Sequence, residues 1–221
     1  MKSRWYNIYC EEINSHGGLD SFVKEKIGEK RLLIKKILGK SKNGKLIESG
    51  CGTGIISGHL ASLGKDITCL DIDIDILNLA KKISKKRKIS ISYCLADMKK
   101  MPFKKDSFEV CFHNGVLEHF NDVSIKKILK EQFRISKTVV FGVPTNFFKE
   151  DEKIYGDERF LPIEYWRNLI GLVGGFIEDE FYFYHSTTSF KIKLIKLIDK
   201  ITSHKFKFKR PFVGFVISHG R

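Results

Sequence analysis

The chain is predicted to fold as an α/β protein, a mainly parallel sheet with helices packed on it. Strand-like and helix-like segments alternate from about residue 45 onward, as βαβ units do. A glycine-rich turn separates the first strand from the helix after it, and a carboxylate ends the second strand. The first strand reads Lys45-Leu46-Ile47-Glu48, and the helix beyond the turn has Ile56, Leu60 and Leu63 at helical spacing before Gly64 stops it. The second strand is read at 66–71. A helix with Ile76, Leu79, Ala80 and Ile83 on one face follows, then strands at 89–96 and 108–113. Ile125, Ile128, Leu129 and Phe133 mark the next helix, which leads into the apolar strand at 138–143, closed by Pro144. Pro162 opens a helix with Ile163, Trp166, Ile170 and Val173 on its apolar face; Gly174-Gly175 ends it before strands at 176–184 and 212–218.

The length of 221 residues suits one compact unit, with a mostly helical cap at 1–44 ahead of a core at 45–221. Hydrophobic residues make up 42% and charged residues 30%, which is too apolar for disorder and too interrupted by charge for a membrane span. Residues 1–14 hold no uninterrupted apolar stretch behind a basic start, so no signal peptide is expected. The five cysteines, at 10, 51, 69, 94 and 111, are widely spaced and odd in number, as expected of reduced thiols in a cytoplasmic protein.

A formal charge of +14 invites a nucleic-acid or anionic-membrane partner. Only eight of the 40 basic residues are Arg, however, and the surplus of Lys in a chain rich in Ile and Phe is what AT-rich coding produces without any partner. Forked phosphate recognition favours Arg, so nucleic acid is not the favoured partner.

The densest local signal is Glu48-Ser49-Gly50-Cys51-Gly52-Thr53-Gly54 between strand and helix, where glycines let the backbone turn sharply and a ligand approach the main chain. Asp71 follows Gly50 by 21 residues at the end of the second strand, where an open sheet places a carboxylate for ribose hydroxyls. Together they imply an adenosine-type ligand. The dinucleotide fingerprint is broken, because Ile55 stands where its third glycine belongs, and no Gly-Lys-Ser/Thr follows for a Walker loop.

With Leu46 to Gly54, Leu70 to Asp73, Ala96-Asp97-Met98, Pro102-Phe103 through Val110, and Asn114 to His119 in that order, the sequence resembles the class I S-adenosylmethionine-dependent methyltransferases. The resemblance implies a Rossmann-like three-layer sandwich around seven strands, the last antiparallel, with S-adenosyl-L-methionine as cofactor and S-adenosyl-L-homocysteine as product. It implies that the loop from Glu48 through Gly50, Cys51, Gly52 and Gly54 holds the methionine part, with Glu48 on the ammonium side. Asp71 would take the ribose, Ile72 the adenine face, Asp97 the exocyclic amine and Met98 the ring through its amide. The backbone around His113 and Asn114 would line the methionine end.

Methyl transfer from a sulfonium mainly requires alignment and exclusion of water. His119 is the histidine that the resemblance places near the transferred methyl, as a general base oriented by Glu118; both equally suit a plain role in fixing the loop. Related quinone-type enzymes carry another acid three residues before that Glu. Gly115 stands there, so no metal site is expected. Neither an Asn/Asp-Pro-Pro-aromatic motif nor a Pro-Cys dipeptide is found, and a small acceptor, methylated on O or N, is preferred to RNA or to cofactor binding without catalysis. Trp5, Tyr6 and Tyr9, with Tyr155, Arg159, Phe160, Tyr165 and Trp166 after the fifth strand, are the expected acceptor walls, Tyr9, Tyr155, Arg159 and Trp166 foremost, with Arg159 pairing with an acidic group; a core role suits most of the aromatics as well. A basic amphipathic helix is read at 190–210, suited either to a peripheral membrane contact or to packing on the sheet.

Overall fold

The fold is described from a computed structural model for residues 2–153, 155–183 and 211–220. The expected basic helix at 190–210 and the end of the strand at Tyr184 lie outside these residues. Three helices come first, α1 (Arg4–Ser15), α2 (Leu19–Glu29) and α3 (Arg31–Lys40). Then follow β1 (Leu46–Ser49), α4 (Ile55–Ser62), β2 (Ile67–Asp71), α5 (Ile74–Lys86), β3 (Ser92–Leu95), β4 (Phe108–Asn114), α6 (Asp122–Ile135), β5 (Ser136–Pro144), α7 (Ile163–Leu172), β6 (Gly175–Phe183) and β7 (Phe212–His219).

The sheet runs β3-β2-β1-β4-β5-β7-β6. The first five of these strands pair in parallel, and β7 is antiparallel to both of its neighbours. The expected sheet, seven strands with the last antiparallel, is the one observed. Alternation along the strands splits the core in two. Ile47, Cys111, Val139, Phe141 and Phe215 face α6 and α7 in one cluster, whereas Leu46, Val110, Phe112, Val140 and Val216 face α3 and α4 in the other.

Two expectations change here. Residues 1–44 are not one cap: Leu33, Ile34 and Ile37 of α3 are buried against the sheet, so α3 is a covering helix of the sandwich. α1 buries no residue and packs on α2 and α5. Its start is fixed by Lys2 and the Ser3 amide, both bonded to Asp75 of α5 (2.7 and 3.0 Å). Trp166 is fully buried on α7 within the first core cluster, in edge contact with Phe141. It is a core residue and not an acceptor wall.

Chain order reverses between β1 and β4, since β2 and β3 lie to one side and β5 to the other. An open parallel sheet leaves a crevice at such a reversal, beyond the carboxyl ends of the strands.

Candidate functional site

A cavity of about 420 Å³ opens at that crevice, within the range of small-ligand sites. Its floor is the turn after β1, held against β2 by the amides of Gly50 and Cys51, which both donate to the Leu70 carbonyl (2.8 and 3.0 Å). Gly50 has φ +73°, and a Cβ there would press on Val116 at 3.1 Å. At Gly52 φ is +52°, and a Cβ would stand 2.6 Å from the Tyr9 hydroxyl. Both positions therefore exclude ordinary side chains by conformation and by space.

The carboxylates along this floor are oriented by backbone. Asp71 Oδ2 accepts from the Gly52 amide (3.2 Å) and Oδ1 from the Asp73 amide (3.1 Å). Burial raises its pKa against those bonds. Glu48 Oε2 accepts from both the amide and the hydroxyl of Ser57 at the start of α4 (3.1 and 2.6 Å), yet burial pushes the carboxyl up to about 8. Asp97 Oδ1 accepts from the Lys99 amide, and its Oδ2 pairs with the Lys99 ammonium at 3.3 Å. Met98 is buried beside it, while Ile72 is 68% exposed at the rim, an apolar side chain left in water. At the end of β4, Asn114 lines the cavity with its Oδ1 buried and lacking a hydrogen-bond partner.

Two expected cofactor residues fall elsewhere. Gly54, at φ +66°, precedes α4 with Cys69 and Ala80 beneath it and does not line this cavity. The His113 ring is stacked on Phe141, 5.2 Å between centroids, inside the sheet. Burial drives it down to about 3, so it stays neutral, and it too lies outside the cavity.

The opposite half of the cavity is walled by Trp5 and Tyr9 of α1, Glu12, Lys26 and Lys30, and by Phe148, Tyr155, Glu158, Phe160 and Phe212. The short 3₁₀ turn after β4 brings in Glu118 and His119. His119 Nδ1 is 2.9 Å from Asp157 Oδ1, and its ring meets Trp5 edge to face at 5.2 Å. Asp157, and not Glu118, orients His119. Glu118 is buried, its Oε2 has no hydrogen-bond partner, and burial raises its carboxyl to about 8.

Tyr9 and Tyr155 line the cavity as expected, with Tyr9 at the junction of the two halves, its hydroxyl above Gly52. Arg159 does not line it. Its guanidinium bonds the Phe120 carbonyl (2.7 Å), Asp122 (2.8 Å) and the Tyr165 hydroxyl (3.1 Å), bracing the start of α6, so no free charge remains for an acceptor. Sequence reasoning missed Lys30, Asp157 and Glu158. The only sequence signal for the latter two was their nearness to Tyr155. Among the described residues no group of three or more His, Cys, Asp or Glu is placed to hold a metal ion. Among them, too, no helix is long and apolar enough to cross a membrane.

Residues 47–138 match the family model described as "Methyltransferase domain". The ubiquinone biosynthesis O-methyltransferase of Pelagibacter ubique is 32% identical over 96 residues, 43% of this chain and 39% of that protein. A malonyl-[acyl-carrier protein] O-methyltransferase of Hamiltonella defensa is 28% identical over 103 residues, 47% of this chain and 38% of that protein. The matched segment thus spans about two fifths of these curated relatives. Among solved structures, an S-adenosylmethionine-dependent methyltransferase of Clostridium acetobutylicum shares the fold, with TM-score 0.66 at 12% identity, covering 87% of this chain and 91% of that one.

Proposed function

We propose, from the match of residues 47–138 to the methyltransferase-domain model, that this chain is a class I S-adenosylmethionine-dependent methyltransferase that moves a methyl group from S-adenosylmethionine to an oxygen or nitrogen atom of a small acceptor. The observation that carries this reading is the cavity at the strand-order reversal. Its floor already holds Asp71, Glu48 and the unpartnered Asn114 Oδ1 at separate points.

The residues fit the cofactor. Asp71 keeps acceptor capacity for the two ribose hydroxyls beyond the amide bonds its oxygens already take. Ile72 gains an apolar face to cover, which explains an exposed isoleucine at the rim. Asp97 would accept from the exocyclic amine, the Met98 amide would serve the ring, and Glu48 and Asn114 would hold the amino-acid end. When bound, the cofactor supplies a methyl carbon made electrophilic by the positive charge on its sulfur. The protein's own part is to align the acceptor with that carbon and to keep water out, which α1 does by laying Tyr9 over Gly52. Where the acceptor arrives protonated, His119, held by Asp157, takes the proton.

Calorimetric titration with S-adenosylhomocysteine tests the reading. Saturable binding is expected, with Asp71→Ala weakening it by ~1.5–3 kcal/mol through the loss of bonds to a charged acceptor. No binding to the folded protein would refute it.

A further inference from the structure

We infer that the Tyr9 hydroxyl is a cofactor-binding group, the donor that α1 brings to the glycine turn for the carboxylate at the amino-acid end of S-adenosylmethionine. This assigns a further residue to the cofactor in the methyl-transfer reading and rests on it.

The turn after β1 spends most of its amides on the fold. Those of Gly50 and Cys51 go to the Leu70 carbonyl, that of Gly52 to Asp71 Oδ2, and that of Gly54 to the Cys51 carbonyl (2.8 Å). The amide and hydroxyl of Ser57 both go to Glu48 Oε2. Side chains along the same floor add acceptors, from Glu48, Asp71, Asp97 and the Asn114 Oδ1. These suit an ammonium, ribose hydroxyls and an exocyclic amine, all of which donate. A carboxylate only accepts, and taking one out of water without donors is costly. In a phosphate-binding turn, free amides supply those donors, whereas here four of them are already given to protein oxygens.

Tyr9 meets that need. Its hydroxyl stands 2.6 Å, and its Cζ 3.1 Å, from where a Cβ on Gly52 would lie, so the bare Cα of Gly52 is what lets the phenol reach the turn. Tyr9 lines the cavity, and among the described residues its hydroxyl has no hydrogen-bond partner. A phenol set this far into a site ordinarily finds a partner for its O–H. Burial first, then the nearby Tyr155 and Asp71, raise its pKa well above the usual tyrosine value, so the proton stays in place to be donated. A neutral donor also has an advantage here. It serves a carboxylate without drawing Asp71 off the ribose, and it adds no positive charge beside the sulfonium.

The fold fixes where this hydroxyl stands. α1 is tied to α5 through Lys2, the Ser3 amide and Asp75, and to the far wall by Arg4, which donates to the Tyr155 carbonyl. Trp5 and Tyr9, four residues apart, share one face of α1 with their ring centroids 6.2 Å apart, and Trp5 meets the Tyr155 ring edge to face at 4.9 Å. A donor positioned by such contacts loses little freedom on binding, which raises the value of its hydrogen bond. Tyr9 lies outside the segment that matches the family model, which begins at residue 47.

The test is calorimetric titration of wild-type protein and Tyr9→Phe with S-adenosylhomocysteine and with decarboxylated S-adenosylhomocysteine, which keeps the nucleoside, the thioether and the amine. Tyr9→Phe is expected to weaken S-adenosylhomocysteine about ten-fold, as loss of a hydrogen bond to a charged group predicts, and to leave the decarboxylated ligand within about two-fold of wild type. Unchanged S-adenosylhomocysteine affinity in Tyr9→Phe overturns the inference. Equal losses for the two ligands overturn it as well, because they place the effect in packing or at the ribose. If Tyr9→Phe does not fold, the wild-type protein still reports: it must bind the decarboxylated ligand at least about ten-fold more weakly than S-adenosylhomocysteine, and equal affinities overturn the inference. Absence of S-adenosylhomocysteine binding to the folded wild-type protein overturns the methyl-transfer reading instead.

Discussion

In the half of the cavity beside the glycine loop, the carboxylates are held by amides between two and nineteen residues away: Asp71 by Gly52 and Asp73, Glu48 by Ser57, Asp97 by Lys99. In the other half, side chains meet across long stretches of sequence. His119 rests on Asp157 and Trp5, Lys30 on Phe183 and Phe212, and one Glu118 oxygen on nothing. The contrast teaches how one scaffold combines a constant ligand with a variable one. A backbone-built cradle changes little when side chains are exchanged, whereas a chamber assembled from distant side chains can be reshaped piece by piece without disturbing the cradle.

If the halves are separable in this way, His119→Ala should lower kcat by ~10²–10⁴-fold and leave S-adenosylhomocysteine affinity near wild type. Asp157→Asn should give a smaller loss and a shifted pH–rate profile. Steady-state kinetics beside calorimetry decides, and a parallel collapse of cofactor binding would break the distinction. Trp166→Ala sharpens the boundary between wall and core. A fully buried indole should cost ~3–5 kcal/mol of stability in denaturant unfolding, while the folded fraction keeps its ligand affinities.

The smallest effect is expected from pH, and both halves contribute to it. Glu48 and Glu118 are each raised from 4.5 to about 8 by burial, so the folded protein holds their protons where the unfolded chain has lost them. Their contribution is fully present below the unfolded value and is lost as pH rises through the folded one. The melting temperature should therefore fall between about pH 4.5 and about pH 8, and Glu48→Gln and Glu118→Gln should each flatten part of that fall. A profile unchanged in both variants would mean that neither carboxyl is protonated in the fold.

Much of the geometry beside the glycine loop was legible beforehand because its rules are local. Glycines that must adopt positive φ lie next to one another in sequence, and the spacing from Gly50 to Asp71 is set by one helix and one strand. Neighbours in a motif need not face the same way: the first turn of α4 carries Gly54 away from the cavity, and strand alternation turns the His113 ring into the core, whereas the expectation there concerned its backbone. The acceptor half was read less well for the opposite reason. Arg159 looked like a free cation, but its partners Phe120 and Asp122 lie 39 and 37 residues away. Trp166 sat on an apolar face that fits a core as well as a wall.

By itself, then, the sequence determined the layered parallel fold, the glycine turn after β1 and the carboxylate at the end of β2, because periodicity, turn chemistry and short spacings encode them directly. The tertiary structure decided which buried charges find partners: Asp157 behind His119, rings beneath Lys30, and an unpartnered oxygen on Glu118. Such balances depend on contacts between segments far apart in the chain, and burial and charge compensation exist only once those segments have packed.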